Sequence, residues 1–440
     1  MRTLRRTIPP GGDLAEGTRA RRAWTIRVMS CPDPTCIDEV HALDGELLRL
    51  GREARGVGIV VRDPRVSRSH ATLLPGRDAI VVADDGSSNG VFVNGQRVAE
   101  REVRAGDVLR VGDSILLVDR GPPPPRGDED DMGIVGRSAS IRALRTIIRR
   151  VGPSQLPVMV TGATGTGKEL VARALHAQSG RRGPFLAVNC AALPGPLVEN
   201  ALFGRKKGAY TDATSDQDGA FVRANGGTLF LDEIGELAPE AQPKLLRALD
   251  SGEVTPVGAT ADVGVDLRIV VATNAALDQA MRDGRFREDL YARLAGVTLR
   301  TPLLAERRED VLLLLRRFLP EAARARPMAP DFVEAILTYA WPRNVRELMM
   351  LAERLQVLHP DAPRFELAML DDEMAAPLRA RGAPDDAIEA RKGPPSREEL
   401  AALLERCRGN VSRVARLVQR NRKQVYRWMD IYGMDRGSGR

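Results

Sequence analysis

The sequence predicts a multidomain protein with an all-β sandwich, an α/β phosphate-loop domain and an all-α C-terminal domain. Short β-rich runs separated by Gly, Asp and Asn turns occupy residues 24–120, a spacing typical of a sandwich. Apolar strands alternate with amphipathic helical patterns over residues 132–302, which indicates a parallel α/β sheet. Three short helical patterns close the chain after residue 395.

Composition excludes several classes of protein. The 440 residues are 43% hydrophobic and 28% charged, as in soluble chains that bury several cores. No apolar run reaches the roughly 18 residues of a membrane helix, and the charged N-terminus lacks the apolar segment of a secretory signal. Four cysteines are too few for a disulfide scaffold, and Cys31 and Cys36 have no second nearby pair to complete a zinc site. We therefore expect a cytoplasmic protein.

The predicted domains are separated by segments rich in Pro, Gly and charge. Residues 1–23 are predicted to be a disordered Arg-rich arm, and 121–131 and 373–395 to be linkers. The predicted domains are the sandwich (24–120), the α/β domain (132–302), a mostly helical region (303–372) and a small basic domain (396–435).

A glycine-rich segment, GATGTGKE, joins the apolar run Val158–Val160 to a helical pattern. Strand, glycine-rich turn and helix start are the context of a phosphate-binding loop, where backbone N–H groups, the helix N-terminus and a lysine face the anion. The candidate nucleotide-binding residues are Gly162, Ala163, Thr164, Gly165, Thr166, Gly167, Lys168 and Glu169. Glu169 stands where the strict motif has Ser or Thr for Mg²⁺. A glycine-rich turn before an ordinary helix is the alternative.

Two further strands end in polar residues. The run Thr228–Leu231 is followed by Asp232 and Glu233, and the run Arg268–Ala272 is followed by Thr273 and Asn274. An Asp at such a strand end can hold Mg²⁺, directly or through water, and a neighbouring Glu can polarise the attacking water. Each feature alone also fits a helix cap, but the three in order predict binding of ATP with Mg²⁺.

Residues 134–370 resemble the AAA+ domain of bacterial enhancer-binding proteins, the sigma-54-dependent transcription activators. The matching stretches are GATGTGKE (162–169), FLAVNCAAL (185–193), LFGRKKGAYTDA (202–213), GGTLFLDEIGEL (226–237), GRFREDLYARL (284–294) and WPRNVREL (341–348). The resemblance implies an α/β ATPase subdomain with a helical lid, action on sigma-54 RNA polymerase, and a homo-oligomer that in this family is usually a ring of six.

The resemblance also implies a role for each matching residue. These roles are phosphate binding for Lys168, nucleotide contact for Val135 and Gly136, the Walker B pair for Asp232 and Glu233, restraint of Glu233 for Asn189, sensor I for Asn274, sensor II in the lid for Arg346, and arginine fingers for Arg287 and Arg293. An arginine finger has a physical rationale of its own, because a cation from a neighbouring subunit stabilises the transferring phosphoryl group.

The loop that contacts sigma-54 in this family usually has the sequence GAFTGA. Here it consists of Gly208, Ala209, Tyr210, Thr211, Asp212 and Ala213. Tyr210 keeps an aromatic ring, whereas Asp212 replaces a glycine and adds charge. An AAA+ regulator that binds DNA without acting through sigma-54 is therefore one alternative, and a phosphopeptide-binding scaffold with a vestigial ATPase is another.

The predicted sandwich resembles a forkhead-associated domain, which binds phosphothreonine peptides. The resemblance rests on Gly51-Arg52, the segment SRSH (67–70), the segment GSSNG (86–90) and Phe92 to Gly95. Charge-assisted hydrogen bonds explain such a set, because arginines and hydroxyl groups pair with phosphate oxygens. The candidate phosphopeptide residues are Arg52, Ser67, Arg68, Ser88 and Asn89, and His70 is expected to brace the loop. Loop polars that only hold turns are the alternative.

The C-terminal region carries a basic helical pattern. Residues 395–440 contain eleven Lys or Arg and five Asp or Glu, a net charge of +6. Three apolar sets at helical spacing predict three helices around one core that includes Trp428. The segments NVSRVARL and NRKQVYRWM resemble a Fis-type helix-turn-helix, which implies contact with double-stranded DNA through Asn421, Arg422, Lys423, Gln424 and Arg427. A protein-binding bundle with a solvated basic face is the alternative.

Overall fold

The computed structural model describes residues 24–43, 47–53, 58–121, 132–192, 195–207, 215–274, 277–379, 397–406, 411, 414 and 422–434. The predicted arm (1–23), the predicted sigma-54 loop (208–213), residues 122–131 of the first predicted linker and residues 380–395 of the second lie outside these residues. The chain divides into two compact units, Met1–Leu378 and Arg379–Arg440, and each is described separately.

The first unit begins with a β-sandwich. Its described strands are β1 (Trp24–Ser30), β2 (Val40–Leu43), β3 (Leu48–Gly51), β4 (Gly58–Val60), β5 (Ala71–Pro75), β6 (Ile80–Asp84), β7 (Val91–Val93), β8 (Gln96–Val98), β9 (Glu100–Val103), β10 (Val108–Val111) and β11 (Ser114–Arg120). One sheet has the order β2-β1-β11-β10-β7-β8 and the other β4-β3-β5-β6-β9. Between them lie alternate residues such as Ile26, Val28, Leu73 and Val118, as expected for strands of period two.

The α/β subdomain follows. Its described strands are β12 (Val158–Thr161), β13 (Phe185–Asn189), β14 (Gly204–Arg205), β15 (Gln217–Asp218), β16 (Thr228–Asp232), β17 (Glu253–Val254), β18 (Val263–Gly264), β19 (Arg268–Thr273) and β20 (Val297–Arg300). Its described helices are α1 (Ala139–Val151), α2 (Lys168–Gln178), α3 (Gly195–Phe203), α4 (Ala220–Arg223), α5 (Gln242–Ser251), α6 (Leu277–Arg282) and α7 (Glu288–Leu294).

The main sheet of this subdomain has the strand order β13-β16-β19-β12-β20 and is parallel throughout. Its central strands have apolar middles because helices cover both faces; in β19 all six residues are buried, and Ile269 to Ala272 are apolar. Parallel strands end at a common edge, so the sheet brings the ends of β12, β13, β16 and β19 together. That edge carries the predicted nucleotide site.

The lid is helical. Its described helices are α8 (Val311–Phe318), α9 (Glu321–Arg324), α10 (Pro330–Thr338), α11 (Asn344–Leu358) and α12 (Asp372–Arg379). The predicted linker start at residue 373 was wrong, because Met374, Ala375 and Leu378 of α12 are buried in the lid core. Pro377 and the flanking charges conceal this helical spacing in the sequence.

The second unit contains α13 (Arg397–Arg406) and α14 (Arg422–Ile431), with Val411 and Val414 also helical. One apolar cluster joins these elements; its buried members are Leu400, Val411, Val414, Val425, Trp428 and Met429. Trp428 is therefore a core residue, as predicted.

Candidate functional site

The phosphate loop connects β12 to α2 at the shared edge of the parallel sheet. Lys168 is the first residue of α2, is buried, and donates from Nζ to the Gly162 carbonyl at 3.0 Å. The Thr166 hydroxyl donates to the Ala163 carbonyl at 2.7 Å and lies 2.7 Å from the Thr301 hydroxyl. These bonds hold a compact loop at a helix N-terminus, an arrangement suited to an anion.

The predicted Walker B pair, Asp232 and Glu233, lies beside this loop. Glu233 Oε1 is 3.5 Å from Lys168 Nζ, and Glu233 Oε2 accepts a hydrogen bond of 3.2 Å from the backbone of Asn274. The Asn274 side chain in turn donates to Thr164 Oγ1 at 3.4 Å. The predicted residues Lys168, Glu233, Asn274 and Thr164 therefore form one connected group across two strand ends and the loop.

Asp232 is half-buried at the end of β16 beside Glu233. Burial raises the pKa of its carboxyl group, and the charge of Glu233 raises it further, whereas Lys168 opposes both. A divalent cation would stabilise the ionised form of such a carboxylate, which is the hard oxygen ligand that Mg²⁺ prefers. No cluster of three or more metal-ligating side chains occurs in the described part of the chain, so Mg²⁺ would need phosphate oxygens to complete its shell.

Two predicted residues make contacts other than those expected. Asn189 pairs with Asp232 in the sheet, but its side-chain oxygen accepts from the Ala191 backbone at 2.9 Å, and none of the hydrogen bonds among the described residues joins it to Glu233. Glu169 pairs with Arg173 at 2.6 Å on the exposed surface of α2. These bonds therefore hold the side chains of Asn189 and Glu169 on partners other than Glu233 and Asp232.

The start of lid helix α11 lies directly on the phosphate loop. The Val345 N–H donates to the Gly165 carbonyl at 3.0 Å, and the Asn344 side chain donates to the Thr164 carbonyl at 3.1 Å. Gly165 has a φ of +78°, and a Cβ there would lie 2.2 Å from the Arg343 carbonyl and 3.1 Å from Cβ of Arg346. The predicted sensor II residue, Arg346, is therefore beside the loop.

Asn344 is a site residue that the sequence analysis missed. It is buried with a φ of +53°, and its side-chain oxygen accepts from the Leu304 backbone at 3.0 Å. It thus joins the first residues of the lid to the loop. An Asn directly before a helical pattern is a weak signal for such a position, since Asn tolerates left-handed backbone geometry better than most residues.

Val135 and Gly136 lie between the α/β subdomain and the lid. Val135 packs against the lid core, and Gly136 leaves no room for a side chain because a Cβ there would lie 2.8 Å from Asp310 Oδ2. Asp310 accepts from the backbone N–H groups of Arg137 and Ser138 at 2.6 and 3.0 Å. The buried Asp310, also missed from sequence, fixes this segment against the lid.

The two predicted arginine fingers lie near the two ends of α7, and their ion-pair partners lie outside the phosphate loop of their own chain. Arg287 forms a two-pronged pair with Asp289, at 3.0 and 2.7 Å, and half of its side chain is exposed. Arg293 pairs with Asp250 at 3.0 Å and is equally exposed. Exposed guanidinium groups of this kind are accessible to a neighbouring molecule.

The predicted phosphopeptide residues gather in three loops of the sandwich. His70 is fully buried and accepts from the Ser67 backbone at 3.0 Å, while its other ring nitrogen lies 3.1 Å from the Gly90 carbonyl, so it braces the loops as predicted. The Ser88 backbone donates to Ser67 Oγ at 3.2 Å. Asn89 donates to the Arg65 carbonyl at 2.6 Å.

Both phosphopeptide arginines, Arg52 and Arg68, are exposed beside these loops, as is Ser88. Arg52 reaches the Pro64 carbonyl at 3.4 Å. Exposed arginine and serine side chains on adjacent loops suit a phosphate group.

The remaining predicted contact sites lie largely outside the described residues. The flanks of the sigma-54 loop are joined by the pairing of Gly204 with Asp218 and by an ion pair of 2.7 Å between Lys206 and Asp216. On α14, Arg427 is exposed on the opposite side from the buried Val425 and Met429. Side chains of the other predicted DNA-contacting residues are not among those described.

Comparison with known families matches three parts of the chain. Residues 134–300 match the Sigma-54 interaction domain, residues 48–112 the FHA domain and residues 305–386 the AAA+ ATPase lid domain. The transcriptional regulatory protein ZraR of Klebsiella oxytoca is 43% identical over 303 residues, which is 67% of each chain. The chain belongs to the family of NtrC-like sigma-54-dependent activators.

Other proteins with similar sequences or structures support the same family assignment. GlrR of Escherichia coli (strain K12) is 39% identical over 308 residues, 69% of this chain and 68% of that one. NtrC of Rhizobium meliloti (strain 1021) is 45% identical over 256 residues, 57% of this chain and 53% of NtrC, so the chain spans about half the length of that relative. A solved structure of NtrX from Brucella abortus in complex with ATP is 34% identical and covers 70% of each chain with a TM-score of 0.51.

These findings confirm the predicted forkhead-associated and AAA+ ATPase domains of this family member. The lid match runs to residue 386, beyond the predicted boundary at 372, in agreement with helix α12. A membrane-crossing helix is not found within the described ranges, where every helix is too short or too polar.

Proposed function

We propose that this protein is an ATP-hydrolysing activator of sigma-54 RNA polymerase that binds upstream DNA and responds to phosphothreonine. The observation that supports this most is the connected group of Lys168, Glu233, Asn274 and Thr164 at the start of α2. A protein that only bound phosphopeptides would have no use for a buried lysine held between a phosphate loop and two carboxylates.

Hydrolysis follows from the placement of these side chains. Lys168 would neutralise the β- and γ-phosphates, and Asp232 would hold Mg²⁺ together with the nucleotide, where the ion would supply positive charge at the γ-phosphate. Glu233 orients and polarises the attacking water, and Asn274 holds the Glu233 carboxylate toward the loop. Arg346, on the lid, completes the positive charge around the phosphates, since α11 starts on the loop.

The arginine fingers make the active form an oligomer. Arg287 and Arg293 are held by Asp289 and Asp250 on their own surface, and each exchanges this exposed pairing for the γ-phosphate of a neighbouring protomer. Exposed ion pairs of this kind contribute only about 0–1 kcal/mol, so the exchange costs little. A ring, six-membered in this family, brings each pair of fingers to the next pocket.

Recognition of DNA and of the signal is divided between the two ends of the chain. Residues Asn421, Arg422, Lys423, Gln424 and Arg427 contact base edges in the major groove upstream of a promoter. Arg52, Ser67, Arg68, Ser88 and Asn89 bind a phosphothreonine peptide, and loop 208–213 transmits the ATPase stroke to sigma-54.

Transcription from a sigma-54 promoter in a purified system tests the proposal. Wild-type protein with ATP is expected to yield transcripts from a template that carries its upstream site, whereas Glu233→Gln protein, or a non-hydrolysable analogue, yields none. Hydrolysis without transcripts, and without a complex with sigma-54 in the presence of a transition-state analogue, would favour the regulator that does not act through sigma-54. Undiminished transcription by Glu233→Gln protein would instead favour the scaffold with a vestigial ATPase.

A further inference from the structure

One face of the forkhead-associated sandwich is buried against the ATPase. On β11, Leu116 and Val118 point between the two sheets, whereas the alternate residues Ile115 and Leu117 belong to the lid core. Val108 of β10 and Met29 of β1 join that core on the same outer face. A strand with apolar residues on both faces is usually covered on both faces. The inner face of β11 is covered by the second sheet of the sandwich, and its outer face by the lid.

A buried carboxylate fixes the register of this contact. Glu334 of α10 is fully buried; its Oε1 accepts from the Gly95 backbone at 3.0 Å, and its Oε2 lies 3.0 Å from Nε of Arg110. Both donors belong to the sandwich. The Arg110 guanidinium also lies 4.0 Å from the ring centre of Phe92, which orients it. Burying an unpaired carboxylate costs several kcal/mol. The sandwich supplies the groups that pair with Glu334, so burial of this carboxylate on the lid is favourable only while the sandwich is docked.

The same sandwich also contacts the segment that precedes α1 of the α/β subdomain, and the start of the lid. Asp38 forms an ion pair with Arg137, the residue after Gly136, and Arg308 donates to the Gly106 carbonyl. The first of these contacts is to the segment that leads into α1, and the second is to the start of the lid. The sandwich therefore touches both bodies between which a nucleotide would sit.

We propose that the sandwich is a brace across the hinge between the α/β subdomain and the lid, and that this brace slows nucleotide release. Opening of the lid must separate α11 from Thr164 and Gly165 and turn α10 relative to α1, whose N-cap residue Ser138 directly follows Arg137. A rigid body attached to both sides opposes that rotation, since hinge motions are absorbed by the few residues between two bodies. The inference rests on the nucleotide site proposed above.

The brace is compatible with signal binding. Arg52, Arg68 and Ser88 are exposed, and the contacts with the ATPase are made by other residues, on the outer face of the sheet and in turns such as Gly95 and Gly106. A phosphopeptide can therefore bind while the sandwich stays docked. The brace makes the forkhead-associated domain a fixed part of the ATPase protomer in the free and the peptide-bound protein.

Release of a fluorescent ADP analogue, chased by excess ADP in a stopped-flow instrument, tests the brace in the full-length protein without need of hydrolysis. Three variants remove it differently: Glu334→Gln loses the buried charge, Arg110→Ala loses the partner, and Leu117→Glu places a carboxylate in the apolar contact. Each is expected to release the analogue at least about fivefold faster than wild type. Arg247→Gln, which removes an exposed pair with Asp262, is the matched control and keeps the wild-type rate.

The double variant Glu334→Gln/Arg110→Ala is expected to release ADP no faster than the faster single variant, because both changes remove one interaction. Wild-type release rates in all three brace variants would overturn the proposal, since it assigns the restraint to these contacts. Failure of the wild-type protein to bind the analogue at all would overturn the nucleotide site itself, and the two failures are thereby distinguished. Circular dichroism of each variant separates a lost brace from a lost fold.

Discussion

Lys168 and Glu233 form an ion pair across the phosphate loop, with 3.5 Å between Nζ and Oε1. Both side chains are largely buried, 7% and 16% exposed, so solvent screens this pair much less than a surface pair. An incoming phosphate would compete with Glu233 for the lysine, and the displaced carboxylate would become available to water. Under the proposed function, this pair would couple the arrival of nucleotide to the release of the carboxylate that is proposed to polarise water.

Replacement of the lysine should remove nucleotide binding. In Lys168→Ala protein the carboxylates of Asp232 and Glu233 remain without their cation and repel the phosphates, so ATP affinity should fall at least about 100-fold. Isothermal titration with ATP measures this. Lys244→Ala, which removes an exposed lysine paired with Glu199, should retain wild-type affinity. Normal affinity in Lys168→Ala protein would refute the phosphate-loop assignment.

Replacement of the glutamate should separate binding from hydrolysis. Glu233→Gln keeps the side-chain shape and an acceptor for the Asn274 backbone but cannot polarise water, so phosphate release should fall at least about 100-fold while ATP still binds. A phosphate-release assay beside a binding titration distinguishes the two effects. The control is Glu236→Gln, three residues along the chain, which should hydrolyse ATP at the wild-type rate.

Mixing two inactive variants should restore activity if Arg287 acts on a neighbouring protomer. Arg287→Ala protein has a complete pocket but lacks the Arg287 finger, and hydrolysis by it alone should fall about 10³-fold. Glu233→Gln protein supplies a finger but has an inactive pocket. An equimolar mixture should hydrolyse ATP well above the sum of the two. Activity equal to that sum would mean that Arg287 does not act in trans.

The sequence predicted those parts of the site whose signal is local. Loop 162–169 is recognisable because its residues are consecutive in the sequence. The ends of β16 and β19 are recognisable because in each case polar residues directly follow an apolar run. Asn344 and Asp310 were missed because each acts through backbone groups more than a hundred residues away, at Thr164 and at Arg137. Burial of such a residue depends on which segments meet in the folded chain, and periodicity does not report that.

The contact between sandwich and lid escaped the sequence analysis for a related reason. Glu334 lies in α10 among apolar residues, and a charge in a helix is usually solvated. The apolar segment Ile115–Val118 was assigned correctly to the sandwich, but a short apolar run does not identify what covers its second face. Most of helix α12 was assigned to a linker because its proline, Pro377, and its charged residues are typical of linkers, while only three of its residues, Met374, Ala375 and Leu378, are buried.

Loss of Arg52 should affect only the phosphopeptide site. Because Arg52 is exposed and held by one weak contact at 3.4 Å, Arg52→Ala should lower phosphothreonine-peptide affinity at least about tenfold without changing ATP affinity. Fluorescence anisotropy with a labelled peptide on the full chain measures it. Arg101→Ala, on β9, is the control. A peptide with unphosphorylated threonine should bind neither protein.

The stability of the first unit should depend on the protonation of Glu309. Burial, with Asp310 and Asp119 nearby, raises the pKa of its carboxyl group from 4.5 to about 7, against the opposing charge of Arg27. The native protein thus binds this proton more tightly than the unfolded chain, so its contribution to stability is complete below about pH 4.5 and is lost as the pH rises through about 7.

Replacement of Glu309 by glutamine should reveal this pH-dependent loss of stability directly. Glu309→Gln cannot ionise, so its melting temperature should rise relative to wild type between about pH 5 and about pH 8. Differential scanning calorimetry at the two pH values gives the comparison. Glu366→Gln, whose carboxylate is exposed and paired with Arg364, should show no such divergence. A constant difference between Glu309→Gln and wild type would rule out this origin of pH dependence.

The two-sided burial of β11 has a practical consequence for dissecting this protein. A fragment ended within residues 122–131 would expose Ile115, Leu117, Val108 and Met29 together on one flat sheet. Apolar patches of this kind promote aggregation, and the complementary fragment would carry Glu334 without the groups that pair with it. Expression of separate pieces is thus poorly suited to this chain, and affinities for peptide or nucleotide are best measured on the intact polypeptide.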